Sequence, residues 1–139
     1  MRTKMYRNGR QKGFSLVELI IVIAILAVLI GVLAPQYIKY VEKSRAAADD
    51  EVTETLGRSA VTMISDEDYI DGISDGDTIT FSSAGVTGSS ASVSAALEAY
   101  YPGELCNQKV KSRKYRGKSY TIKFVRVSDV KFILQKGWA

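Results

Sequence analysis

The stretch GFSLVELIIVIAILAVLIGVLAP, residues 13–35, decides how this chain is built. Between Phe14 and Ala34 it holds one charge, Glu18, in the fifth position of an otherwise apolar run. As a helix these twenty-one residues rise about 31 Å, enough to cross the hydrocarbon core of a bilayer. A carboxylate left unpaired near the end of such a helix costs on the order of a few kcal/mol, so Glu18 demands a partner. Gly31 and Pro35 close the run, and Pro35 removes a backbone hydrogen bond, so a kink or local melting is expected over Gly31–Pro35.

Upstream lie Arg2, Lys4, Arg7, Arg10 and Lys12 with no acid among them. Five bases before an apolar run place the N-terminus on the cytoplasmic side and export the chain beyond the run. A conventional signal-peptide cut after Val32-Leu33-Ala34 would leave Pro35 next to the scissile bond, where proline is poorly tolerated. There is no cysteine in this region for a lipid anchor.

Charge is segregated along the rest of the chain. Residues 46–105 contain twelve acids and one base, Arg58, whereas residues 106–139 contain ten bases and one acid, Asp129. The formal net charge of +4 hides this division; without residues 1–13 the side chains give fourteen bases against fifteen acids. Histidine is absent and Cys106 is the single cysteine, which excludes an intrachain disulfide and a cysteine-histidine metal site.

Gly13-Phe14-Ser15-Leu16-Val17-Glu18-Leu19, after a short basic leader and before an apolar helix, resembles the type IV prepilin signature, a class III signal peptide. The resemblance implies that a prepilin peptidase cuts after Gly13 and methylates the new amine of Phe14. It also implies a pilin fold: a long N-terminal helix packed on a small antiparallel sheet, ladle-shaped and α+β in class. The leader would be residues 1–13, the membrane-spanning and filament-core helix 14–34, an amphipathic continuation 35–64, and the globular head 65–139. Cleavage removes all five leader bases and creates a cation one helical turn from Glu18. In a bundle of such helices, Glu18 of one subunit can neutralise the Phe14 amine of the next, and the pair fixes axial register. Pro35 falls where the family commonly has a proline, and Ser15 is a mild departure from threonine. Many Gram-negative relatives staple the C-terminal loop with two cysteines; this chain cannot, which suggests a Gram-positive-type system.

Beyond Pro35, apolar residues recur at helical spacing to about Ile64, with Val41, Ala48, Val52, Leu56 and Met63 facing the head. Residues 65–77 read as loop. Asp71, Asp75 and Asp77 invite a calcium reading, but their spacing fits no helix-loop-helix calcium site, and a solvated turn is the better reading. Thr78–Phe81 is a short strand, 82–92 a serine- and glycine-rich loop, and Val93–Tyr101 a helix stopped by Pro102-Gly103. Its buried stripe is Val93, Ala96, Leu97 and Tyr100. Strands are expected at Lys109–Tyr115, Lys118–Val127 and Val130–Gln135, since Tyr120, Ile122 and Phe124 alternate with polar residues.

No nucleophile elbow, phosphate loop or metal constellation is present, which argues against an enzyme and against any cofactor. Lys109, Lys111, Arg113, Lys114, Arg116 and Lys118 interleave with Tyr115 and Tyr120, a pattern that suits DNA as a partner. A solvated face is the blander reading, and an inter-subunit surface meeting an acidic counterpart of Asp49, Asp50, Glu51, Asp66, Asp68 and Asp71 fits the charge segregation better than either. The resemblance implies as partners the chain itself, the peptidase-methylase, the membrane platform and an assembly ATPase. It implies a cytoplasmic-membrane precursor and an extracellular pilus serving motility, adhesion or DNA uptake. The alternatives are a pseudopilin of a type II secretion or competence machine and a single-pass anchored nucleic-acid-binding protein.

Overall fold

A computed structural model describes residues 13–100, 107–129 and 131–139. The chain divides between Lys39 and Tyr40 into two units. Pro102-Gly103, Cys106, Val130 and the five leader bases lie outside the described residues.

The secondary structure is α+β: a long N-terminal helix with an apolar first half, two short helices and a four-stranded antiparallel sheet. Helix α1 runs Leu16–Met63, with Pro35 inside it. Pro35 has no N–H to donate to the Gly31 carbonyl one turn earlier. In the first unit every side chain from Phe14 to Lys39 is exposed, and Leu16, Val17 and Val28 are each at least 60% so. Apolar burial is the main favourable term in folding, so a helix this apolar and this exposed needs other surroundings than water. Among the described residues α1 is the one helix long and apolar enough to cross a membrane.

The second unit has a core. Leu56, Ala60 and Met63 of α1 pack with Ile79 and Phe81 of β1 (Thr78–Ser82), Ile122 and Phe124 of β3 (Tyr120–Ser128) and Phe132 of β4 (Lys131–Trp138). Strand β2 is Gly85–Gly88, and the sheet order is β2-β1-β3-β4, antiparallel throughout. Alternation on β3 buries Ile122 and Phe124 while Lys123 faces water, as a half-buried strand requires. Helix α3, Ala91–Tyr100, buries Val93, Ala96 and Leu97; Tyr100 is half-buried and tilts against Tyr69. Ser90 caps it, its hydroxyl accepting from the Val93 N–H. Helix and strand β2 approach so closely at Gly88 that a Cβ there would lie 2.8 Å from the Ser94 backbone nitrogen.

Three expectations are corrected. Residues 82–92 are not all loop: Ser83-Ala84 turn the chain so that Phe81 pairs with Val86, which is buried. Glycine and serine carry no period-two signal, and one apolar residue is too few to reveal a strand. Residues 65–77 contain a single helical turn, α2 (Glu67–Ile70), capped by the Asp66 carboxylate accepting from the Asp68 N–H. Lys109–Tyr115 forms no strand. The Lys111, Ser112, Arg113 and Lys114 amides are taken by carboxylates of α1, and the Val110 N–H donates to the Ser82 carbonyl.

Candidate functional site

In the first unit, Glu18 lies in the first turn of α1 and its carboxylate accepts the Ser15 N–H at 3.1 Å. The Leu19 N–H returns to the Ser15 carbonyl at 3.2 Å. Ser15-Leu16-Val17-Glu18 is thus one half of a capping box, in which the third residue of the helix satisfies the amide of the residue before it. The S-x-x-E spacing is visible in sequence, and the local bond it makes is a role that reading Glu18 as a lone membrane charge misses. A carboxylate there also favours the helix dipole. The amide that Glu18 holds belongs to the Phe14–Ser15 peptide, next to Gly13–Phe14.

In the second unit, the carboxylates of α1 hold a loop. Asp49, 1% exposed, accepts the Lys111 N–H at 3.0 Å and the Ser112 N–H at 2.8 Å. Glu42 accepts from the Arg113 and Lys114 N–H groups. Asp50 accepts the Tyr115 hydroxyl at 2.6 Å. Buried charge is tolerated when donors surround it, and here the donors are backbone amides more than sixty residues away in sequence. Tyr115 stacks flat on Trp138, ring centroids 3.9 Å apart and 3° from parallel. At the end of the loop Gly117 takes φ +77°, and Ser119 and Ala139 exchange two backbone bonds of 2.9 Å.

The backbone of this loop is therefore tied down while its cations face outward. Lys109, Lys111, Arg113, Lys114, Arg116 and Lys118 are all exposed. Among the described residues only Lys114 of these has a carboxylate within ion-pair range, Asp50 at 3.9 Å.

The acidic residues divide in the same way. Asp49, Asp50 and Asp66 are engaged within the chain; Asp66 also accepts the Tyr100 hydroxyl, which holds its carboxyl below the usual range, helped by the Asp68 N–H. The same bond pushes Tyr100 up to about 12. Glu51, Asp68 and Asp71 remain exposed, with side chains that bond to nothing among the described residues. Asp75 accepts the Arg126 N–H at 2.8 Å. Burial raises the Asp77 carboxyl, but the Ser74 N–H and the Ser89 and Ser90 hydroxyls outweigh it and hold it below the usual range. These carboxylates point at separate protein donors, and among the described residues no three acids converge as a metal site would require. An open groove beside α1, lined by Thr53, Gly57, Val61, Tyr120 and Lys136, carries the exposed Glu54–Arg58 pair, with no nucleophile and base in contact.

Comparison with known proteins agrees with the first unit. Residues 8–34 match the family model described as a prokaryotic N-terminal methylation motif. No solved structure matches the chain at a significant level. The matched segment contains Gly13, Phe14, Glu18 and Gly31 and ends one residue before Pro35. Residues 8–34 therefore match a prepilin signal of the type IV pilin kind, carried on an α+β chain whose apolar helix begins at Leu16.

Proposed function

We propose that this chain is a structural subunit of a type IV pilus. A prepilin peptidase cuts after Gly13 and methylates Phe14, and the membrane platform and its ATPase then move the mature helix from the bilayer into a filament core. The observation that carries this reading is the methylation motif at residues 8–34, with Glu18 the sole charge between Phe14 and Ala34. The Glu18–Ser15 hydrogen bond supports it, because the carboxylate already reaches the peptide beside the scissile one. In the filament Glu18 pairs with the Phe14 amine of a neighbouring subunit, two charges too costly to bury separately. Gly31 and Pro35 allow the helix to loosen as it repacks.

The heads add a second contact in this reading. Lys109, Lys111, Arg113, Arg116 and Lys118 of one subunit face Glu51, Asp68 and Asp71 of another; all are exposed, and none forms an ion pair among the described residues. Motility, adhesion or DNA uptake then belongs to the fibre and its partners.

Replacing Gly13 by leucine tests the first step. The expected result is a chain that keeps its leader in the membrane fraction and yields no sheared filaments. Filaments at normal yield from that variant, with the leader removed, would exclude peptidase cleavage at this junction.

A further inference from the structure

The loop that α1 holds has a use before any filament exists. We propose that residues 107–118 are a docking surface for the anionic phosphate headgroups of the membrane, which seats the head of the precursor on the bilayer. The inference rests on the reading of residues 14–34 as a membrane span.

Three observations carry it. The first is that the loop is a fixed platform. The Glu42 and Asp49 carboxylates bind four of its amides, Asp50 binds the Tyr115 hydroxyl, and the Tyr115 ring lies flat on Trp138. These acids spend their lone pairs on backbone donors and a phenol, so they orient the loop without capping its cations. Six exposed cations stand over three acids, and among the described residues only the Lys114–Asp50 pair comes within ion-pair distance.

The second observation is the tether. Glu42, which accepts from Arg113 and Lys114, is eight residues beyond Ala34. Eight residues span at most about 28 Å even when fully extended. A tether of that length makes contact with lipid phosphate intramolecular, so weak phosphate bonds act at high effective concentration. The third observation is that the connecting stretch adds to the charge: Lys39, Lys43 and Arg45 are exposed, against one acid, Glu42, between residues 35 and 45. Clusters of lysine and arginine next to a membrane span bind anionic lipid and release it with salt. The tether favours lipid over nucleic acid, because lipid phosphate is always present within its length.

Trp138 is the single tryptophan and stacks on the loop, so it reports the distance to the headgroups. The full chain, leader attached, is reconstituted in vesicles carrying a dansyl headgroup label, either phosphatidylcholine alone or with phosphatidylglycerol added. The expected result is energy transfer about twofold higher with phosphatidylglycerol, falling to the phosphatidylcholine level in high salt. The triple variant Arg113→Glu, Arg116→Glu, Lys118→Glu should show the lower value in both lipids. None of those side chains bonds elsewhere among the described residues, so an unchanged circular-dichroism spectrum confirms that the fold is kept.

Equal transfer in both lipids overturns the proposal, as does high transfer retained by the triple variant. Transfer that rises only with protein density, and disappears when Asp68 and Asp71 are changed to lysine, overturns it in favour of contact between copies. A fluorescent DNA duplex bound with the same salt slope and the same loss in the triple variant, without any lipid effect, overturns it in favour of nucleic acid. Release of the chain by a carbonate wash removes the membrane span itself, and with it both this inference and the reading beneath it.

Discussion

Glu18 and Asp49 sit on one helix and are satisfied in different ways. Asp49 is buried and accepts from the Lys111 and Ser112 amides, so its partners belong to the folded head. Glu18 is exposed in an apolar run and, among the described residues, holds only the Ser15 amide of its own first turn. One amide leaves most of a carboxylate's accepting capacity unused, since an ionised carboxylate has about four lone-pair sites. The difference teaches where each residue's energy is read out. Asp49 stabilises a single chain, whereas in the proposed filament the remaining capacity of Glu18 serves a second one.

Breaking each carboxylate separates the two roles, and the largest effect is expected for Glu18. Glu18→Ala should be exported and processed normally but lower filament yield by about tenfold or more, since a buried amine left unpaired costs at least the roughly 1.4 kcal/mol of one decade. Quantifying the sheared fraction by immunoblot checks this, and thermal unfolding of the head should not move. Asp49→Ala should do the reverse to the fold. It leaves the buried Ser112 amide and the part-buried Lys111 amide without acceptors, for a loss of about 3 kcal/mol in chemical unfolding. An unchanged unfolding midpoint would mean that Glu42, Asp50 and Trp138 hold the loop without Asp49.

Smaller effects sharpen the same contrast. Ser90→Ala removes the cap of α3 and a donor to Asp77, and should cost about 1 kcal/mol in the same measurement. The Asp66–Tyr100 bond predicts a pH response at both ends. Asp66 titrates lower in the folded state, so its contribution is present above its unfolded value near 3.8 and is lost as pH falls through the lower folded value. Tyr100 is raised, so its contribution is whole below the unfolded value of 10.0 and disappears as pH rises towards about 12. Tyr100→Phe should flatten both limbs of the stability-pH curve. Least of all, Arg58→Ala should change stability by less than about 0.5 kcal/mol, because its bond to Glu54 is an exposed pair on one helix face.

How much of the molecule is legible in the chain depends on where each signal is stored. The apolar run, the alternation of Tyr120, Ile122 and Phe124, and the stripe Val93, Ala96 and Leu97 are local patterns set by burial, and local reading finds them. Strand β2 is hidden because Gly85 and Gly88 carry no hydropathy and only Val86 enters the core. The loop at 109–115 looks like a strand because its alternating bases mimic one. Its shape depends on Glu42 and Asp49, more than sixty residues away, and no window along the sequence contains both sides of those bonds. The same distance conceals that Asp49, Asp50 and Asp66 are occupied within the chain. Ser15 and Glu18 are only three residues apart, and their cap can be read directly from the spacing.

In the proposed filament, Glu18 pairs with an amine that exists only once the chain is cut after Gly13. Intact-mass analysis of filaments sheared from the cell surface tests it most directly. The account predicts a chain that begins at Phe14 and carries one added methyl group. A surface species still beginning at Met1, or one cut after Ala34, would contradict it.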